Sequence, residues 1–303
     1  MMSHESVLHA EERPPERGGP TAVPAARKAR RPLRTSWTDK VGSYFERFCI
    51  GFVVLLTVIL PFAHWLVPAG EAQIVGTPFT SPGAGHLLGT DEQGRDVLSR
   101  VILGLATSWW GALAVIITGV LIGAVVGMIA GMLGGIVDTL LMRLTDAALA
   151  LPGPLVALLV VAAMGPSFRN VLIAVVVTWW PWYARIVRGQ VRAIRTLPHV
   201  EAAKVAGLSG SRVAVRHIFP GVLGSIVVVA SMDIGSVLLV LAGLSFLGLG
   251  AAPPAAEIGS MSAGGMTYLF SAPWIALAPG FALFVVALIT NFAGDAVRER
   301  VAR

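Results

Sequence analysis

Long stretches without charged residues dominate the pattern of hydrophobic and polar positions along this chain. A helix needs about 20 apolar residues to cross the hydrocarbon core of a bilayer. The charge-free stretches, together with 217–256, whose one charge is Asp233, predict six membrane-spanning helices. Their approximate bounds are 48–68, 104–131, 139–163, 169–190, 219–246 and 273–294. We therefore expect an all-α integral membrane protein.

Composition and charge support this prediction and orient it. Hydrophobic residues make up 55% of the 303 residues and charged residues 13%, against about 25% charged in typical soluble domains. Basic residues are retained on the cytoplasmic side of a membrane. With the N-terminus inside, only Arg95, Arg100 and Arg169 of the 23 Lys and Arg residues lie outside. This predicts cytoplasmic termini, with Asp91 and Glu257 external, and it explains the net charge of +6 without a nucleic-acid partner.

The same pattern divides the chain into four regions. We expect a disordered cytoplasmic tail at 1–36, an interfacial segment with the first helix at 37–68, an external loop at 69–103, and a five-helix core at 104–303. The basic cluster at 27–31 precedes a span, so we expect it to lie against anionic lipid.

The longest polar interruption of the hydrophobic pattern is 201–220, EAAKVAGLSGSRVAVRHIFP. Pro198 suits a first helical turn, and Gly207 suits the left-handed position that closes a helix. The small side chains of Ala202, Ala203 and Ala206 leave one side of this short helix with little bulk. One interpretation is a docking surface for another protein; the other is an ordinary cytoplasmic loop.

The string as a whole resembles the EAA loop of bacterial ABC importer permeases, here at about 196–220. The resemblance rests on Glu-Ala-Ala, on the glycine that follows, and on His-Ile-Phe-Pro at the end. It implies that the helix couples the permease to a groove in an ATPase subunit. The implied coupling residues are Glu201, Ala202, Ala203, Gly207, His217 and Pro220.

A second motif, HLLGTDEQGRDVLSR at 86–100, stands before the second predicted helix. Its acids and arginines predict a compact ion-paired cap with tight turns at glycines. A metal site with His86 is disfavoured, because the spacing matches no ligand pattern and the arginines compete for the carboxylates. The stretch resembles the GTDxxGRDxxSR signature of dipeptide/oligopeptide permease C-type subunits. The resemblance implies an external loop or gate that receives substrate, formed by Gly89, Thr90, Asp91, Gly94, Arg95, Asp96 and Arg100.

Further motifs extend this resemblance over most of the chain. They are Asp138, Met142-Arg143 and Asp146 with Leu151-Pro152, WWPWYARIVR at 179–188, LSFLGLG at 244–250 and NFAGD at 291–295. The family implies a type I ABC importer permease fold in the bacterial inner membrane and no cofactor. It also implies a second homologous permease, two ABC ATPases, an extracytoplasmic substrate-binding protein and a peptide substrate. Relatives in this family import dipeptides, longer peptides, nickel chelates or glutathione.

Glycines recur every four residues in the second predicted helix, at Gly119, Gly123, Gly127 and Gly131. Such spacing lets helix backbones approach closely in lipid, so we interpret it as packing. A nucleotide-binding P-loop requires Gly-Lys, which this chain lacks. We therefore expect a non-catalytic transport subunit whose ATP hydrolysis is carried out by partners.

Asp233 is the one acid deep in a predicted span. Such a carboxylate is a candidate for the translocation pathway; alternatively it is a protonated acid hydrogen-bonded to a neighbouring helix. Asp146, which we expect to pair with Arg143, and Asp233 also allow an intramembrane aspartyl protease. That hypothesis lacks the Gly-x-Gly-Asp context, and no His-Glu-x-x-His is present for a metalloprotease. A gradient-driven transporter with Asp233 as its proton site is a third, weaker interpretation.

Overall fold

The computed structural model describes residues 36–83 and 85–301. The predicted tail at 1–36 and its basic cluster lie outside these residues, apart from the start of the first helix at Ser36. The chain separates into two units, Met1–Lys40 and Val41–Arg303, and everything below concerns the second unit and the helix that enters it.

The described residues form helices, with two isolated β-bridges in the loop before the second long helix and no strand. In chain order the α-helices are α1 Ser36–Ile59, α2 Ala63–Leu66, α3 Val97–Leu133, α4 Gly135–Leu149, α5 Gly153–Met164, α6 Phe168–Ile194, α7 Pro198–Val205, α8 Gly210–Val213, α9 Phe219–Leu244, α10 Ile258–Gly265 and α11 Trp274–Val301.

Five helical segments are long and apolar enough to cross a membrane: Tyr44–Leu66, Val97–Leu133, Phe168–Ile194, Gly210–Leu249 and Trp274–Val301. The helices α4 and α5 make a sixth span if they are counted together. The all-α membrane architecture that the hydrophobic pattern predicts is thereby confirmed.

The third predicted helix, 139–163, is not continuous. It consists of α4 and α5, which are bent by 86° with respect to each other. Pro152 stands at the break with an extended ψ of 121°. A proline disfavours the helical conformation of the residue before it and offers no backbone N–H, so the helix ends before Leu151.

The glycine repeat of α3 packs against α6, which confirms its interpretation as a packing surface. A Cβ atom added at Gly123 would lie 2.5 Å from the Tyr183 Cβ and 2.8 Å from the Ala184 backbone nitrogen. A Cβ at Gly127 would lie 2.5 Å from the Ala184 carbonyl oxygen, and one at Gly131 would lie 2.6 Å from Val191. The two helices therefore touch almost backbone to backbone.

The second span begins at Val97, earlier than the predicted position 104. Asp96 caps it: its Oδ2 accepts hydrogen bonds from the Ser99 backbone N–H at 2.8 Å and from the Ser99 hydroxyl at 2.7 Å. An acidic residue at this position satisfies a free N–H of the first turn and so lets the helix begin earlier in the chain. The loop that is predicted to be external at 69–103 therefore ends before α3, at 96.

A short helix that the sequence does not predict, α10, follows the LSFLGLG motif. Glu257 caps it by accepting from the N–H groups of Gly259 at 3.0 Å and Ser260 at 2.8 Å, and it accepts from the Ser108 hydroxyl of α3 at 3.1 Å. Glu257 is fully buried and Asp91 nearly so. Both are predicted to lie on the external side of the membrane, and in this structure both side chains are covered by other parts of the chain.

Candidate functional site

The helix α7 carries the predicted docking surface and is closed as the sequence predicts. Gly207 has a φ of +79°. The Leu208 N–H donates to the Ala203 carbonyl at 3.2 Å, and the Gly207 N–H donates to the Lys204 carbonyl at 2.9 Å. This pair of bonds is a Schellman motif, which satisfies two of the last helical carbonyls. The helix therefore has a defined end on its own.

One face of α7 is anchored in the chain's own core. Val200 is fully buried and Ala203 is 8% exposed. Both belong to an apolar cluster with residues of α6 and α9, among them Val187, Val191 and Val222. Ala203 was expected on the free surface of the helix. Because the side chain of Ala203 packs in this cluster, it is not part of the exposed surface of α7.

The opposite face of α7 is open. Glu201 and Ala202 are exposed, and Val205 is 89% exposed. Sequence reasoning missed Val205, although its i,i+4 spacing from Glu201 places both on one face. These three residues form the docking face.

The last part of the motif joins α7 to the fifth span. His217 is half-buried in a helical turn of Ala214–Ile218, and Ile218 is buried in the same apolar cluster as Val200. Pro220 is exposed in the first turn of α9. The EAA string is therefore a single packed corner between α6 and α9, of which the docking face is the free side.

The loop between α2 and α3, called the outer loop here because it is predicted to be external, contains a buried ion-pair network. The Arg95 Nε lies 2.6 Å from the Asp91 Oδ2, and each of these side chains is 4% exposed. The Arg95 Nη2 lies 2.9 Å from the more exposed Glu92, and the Arg100 Nε lies 3.5 Å from Asp91. The Arg100 Nη1 donates to the carbonyls of Glu71 and Pro254, which ties α3 to the loop before α10.

Backbone geometry closes this loop further. Gly89 and Gly94 have φ values of +75° and +76°, and a Cβ at Gly94 would collide with the Gly76 carbonyl oxygen. The buried Thr90 hydroxyl donates to the Thr77 carbonyl at 2.7 Å and accepts from the Thr80 N–H at 2.8 Å. The compact cap that the sequence predicts is confirmed. Arg95 and Asp96, which we expected to meet the substrate or its carrier, point into the cap and not away from it.

No metal-binding group was expected here, and His86 instead lies 3.2 Å from the capping carboxylate of Asp96. Among the described residues, no cluster of three or more His, Cys, Asp or Glu side chains is placed to hold a metal ion.

Two acids of α4 pair with arginines of α6. Asp138, which is 4% exposed, accepts hydrogen bonds from both Arg188 and Arg192. Asp146 is paired with Arg185 at 2.7 Å. The predicted local pair of Arg143 with Asp146 is wrong, because the helix crossing brings an α6 arginine to the carboxylate instead.

Asp233 lies half-buried on α9 and is held by two neutral donors of α6. Its Oδ2 accepts from the Tyr183 hydroxyl at 2.7 Å and from the Trp179 indole N–H at 3.1 Å. Sequence reasoning recognised the WWPWYARIVR run only by resemblance and did not connect it with Asp233. Asp146 and Asp233 have separate partners and share no hydrogen bond, so they do not form the dyad that an aspartyl protease requires.

Comparisons with known proteins agree with this arrangement. Residues 123–303 match the model of a family described as binding-protein-dependent transport system inner membrane component. A putative peptide transport system permease protein of Brucella suis is 40% identical over 255 residues, which cover 83% of this chain and 86% of the relative. The glutathione transport system permease protein GsiD of Pectobacterium atrosepticum is 35% identical over 275 residues, covering 90% of this chain and 91% of the relative.

Solved structures resemble the chain in fold. An inward-facing structure of the MetNI methionine ABC transporter has a TM-score of 0.54 and 16% identity, covering 68% of this chain and 98% of the other. An amino acid ABC transporter with histidines has a TM-score of 0.52 and 16% identity, covering 67% and 94%. At this level of identity the likeness concerns the arrangement of helices.

Proposed function

The chain belongs to the family of binding-protein-dependent transport system inner membrane components, and from that membership we propose that it is a permease subunit of an ATP-driven importer of peptides. As a member it is a multi-pass membrane protein and a transport subunit that works with an ATPase and a substrate-binding protein. One relative is named for peptides and another for glutathione, which is itself a short peptide, so both names support a peptide substrate.

The finer assembly is part of the proposal. We propose a complex of this permease, a second homologous permease and two ABC ATPases in the bacterial inner membrane, with an extracytoplasmic binding protein. This chain carries no catalytic step and forms half of the pathway, in which Asp233 is the candidate lining residue. Both termini and α7 are proposed to be cytoplasmic, and the outer loop external.

The observation that carries the proposal is the construction of α7. The helix is anchored through Val200 and Ala203, closed at Gly207, and presents Glu201, Ala202 and Val205 outward. A free-standing loop has no need of a closed, anchored helix with a nearly bare valine on its outer face. Contact with a groove of the ATPase subunit would remove that apolar side chain from water, which favours association.

The outer loop receives a more limited role in this proposal. Gly89, Thr90, Asp91, Gly94, Arg95, Asp96 and Arg100 build a rigid frame at the external mouth. Asp91, Arg95 and Arg100 of this frame line a pocket of about 100 Å³ together with Pro253 and Met261. We propose that the frame shapes the entry of the pathway, while its charged side chains hold the frame together.

The docking face is tested by Ala202→Trp. The substitution adds an aromatic body to the exposed side of α7 without touching the chain's own core, and overpacking at an interface costs about 1–3 kcal/mol. At 1.4 kcal/mol per tenfold, association with the ATPases weakens by about 5- to 150-fold. We expect normal membrane insertion, loss of co-purifying ATPase subunits and loss of substrate-stimulated ATP hydrolysis.

The matched control is Ala72→Trp, an equally bulky change at an exposed alanine of the outer loop. It leaves ATPase retention unchanged. An Ala202→Trp complex that keeps its ATPases and its stimulated turnover contradicts the coupling role of α7.

A further inference from the structure

Only one of the two carboxylate oxygens of Asp233 accepts hydrogen bonds from the described residues. Both hydrogen bonds that it accepts, from Trp179 and Tyr183, end on Oδ2. Within the described residues, Oδ1 has no hydrogen-bond donor. The two donors belong to adjacent turns of α6, so they hold the carboxylate in one orientation and leave its second oxygen available.

No positive charge of the described chain balances this carboxylate. The arginines of α6 that lie nearest in sequence, Arg185 and Arg188, are committed to Asp146 and Asp138. None of the ion pairs among the described residues includes Asp233. A carboxylate inside a membrane is costly unless it meets a cation or faces water, and such residues mark the paths of substrates.

The surroundings of Asp233 select the kind of cation. Ca²⁺, for example, takes six to eight oxygen ligands. Beside Asp233 the two neighbouring polar groups, the Trp179 indole N–H and the Tyr183 hydroxyl, donate hydrogen bonds to the carboxylate, which leaves one carboxylate oxygen for a cation. An ammonium group needs one to three acceptors and is also attracted to an indole face. Trp179 is half-buried beside the carboxylate, so part of its side chain is exposed, whereas Tyr183 is buried against the glycines of α3.

We propose that Asp233 and Trp179 form a binding site for the N-terminal ammonium group of the peptide during its passage, with Tyr183 as the residue that positions the carboxylate. This inference rests on the proposed function, because it assumes that peptides are carried. It assigns to this chain a preference for peptides with a free amino terminus, in addition to any selection by the binding protein.

The test removes the binding protein, so that its own preference does not enter. A dipeptide with a free amino terminus and the same dipeptide N-acetylated are titrated against the purified permease–ATPase complex in lipid nanodiscs. The wild type is expected to bind the free form about tenfold more tightly or better, as the loss of a hydrogen bond between charged groups predicts. Asp233→Asn, which keeps an oxygen acceptor for Trp179 and Tyr183, is expected to lose this preference.

Two further variants keep the result interpretable. Asp295→Asn removes an exposed carboxylate of α11 and is expected to retain the preference. If Asp233→Asn fails to assemble with its ATPases, Trp179→Phe, which lacks the indole N–H but keeps an aromatic ring, is expected to reduce the preference without abolishing it. Equal binding of both dipeptides to the wild type overturns the inference, as does an undiminished preference in Asp233→Asn or, failing that, in Trp179→Phe.

Uptake into proteoliposomes, with the binding protein added, provides the second readout. Asp233→Asn is expected to slow uptake of the free dipeptide by about tenfold or more. An unchanged rate, or an equal loss for both dipeptides where both are carried, argues for a structural or proton-transfer role and overturns the inference. Absence of peptide uptake by the wild type contradicts the proposed function itself, so the two failures are distinguishable.

Discussion

Replacement of Gly123 by alanine tests how closely α3 and α6 must approach. The added Cβ would lie 2.5 Å from the Tyr183 Cβ, and 2.8 Å from both the Ala184 nitrogen and the Trp180 carbonyl oxygen. Ordinary carbon contacts are about 3.5–4.0 Å. Two of the three obstructing atoms are backbone atoms, so a rotamer change does not relieve the contact, and the helices must separate by about 1 Å to restore that distance.

Two effects of opposite sign determine how much Gly123→Ala changes the stability of the protein. Alanine is favoured over glycine inside a helix by about 1 kcal/mol. Overpacking of a close contact costs about 1–3 kcal/mol. Because the obstruction here is backbone, we expect the cost to lie at the upper end, which gives a net destabilisation of about 2 kcal/mol.

Gly189 provides the matched control. It lies within α6, is exposed, and has no atom within 4 Å of an added Cβ. Gly189→Ala should therefore gain the helix preference alone and stabilise the protein by up to about 1 kcal/mol.

The assay is thermal unfolding of the purified protein in detergent, with both variants measured beside the wild type. Gly123→Ala is expected to melt below the wild type and Gly189→Ala at or above it. Because the nearest obstructing atom is the Tyr183 Cβ, Gly123→Ala is also expected to shift Tyr183 and disturb its hydrogen bond to Asp233. A Gly123→Ala protein as stable as Gly189→Ala refutes the close helix contact.

Two other predictions concern the outer loop and the orientation. Arg95→Ala leaves the carboxylate of Asp91 buried without its main partner, and because breaking a buried pair costs about 3–5 kcal/mol, the melting temperature of the protein should fall sharply. The control is Glu92→Gln, which removes a more exposed ion pair worth about 0–1 kcal/mol. Equal shifts of the melting temperature in the two variants contradict the buried ion-paired cap. On a Cys49→Ala background, a membrane-impermeant maleimide should label a cysteine at the exposed outer position Gln73 in intact cells but not one at Lys204, and labelling at Lys204 contradicts the proposed orientation.

Structural features that depend on residues close together in the chain can be predicted from the amino-acid sequence alone. The number and approximate places of the spans follow from hydrophobicity, which acts residue by residue on transfer into lipid. The closure of α7 at Gly207 follows from a conformation that glycine adopts at little cost. The glycine repeat of α3 likewise indicates a close contact, because small side chains matter only where another backbone approaches.

The partners of each side chain cannot be read in this way. The arginine that meets Asp146, the donors that hold Asp233, and the burial of Ala203 all depend on how one helix is rotated and shifted against another. The 86° bend between α4 and α5 and the extra helix α10 were not predicted either, because each depends on a single residue, Pro152 at the break and Glu257 at the cap, and hydrophobicity does not record such local effects. Hydrophobicity places a helix in the membrane with little regard to its rotation, whereas hydrogen bonds and ion pairs depend on that rotation, and it is set by packing among segments far apart in the chain.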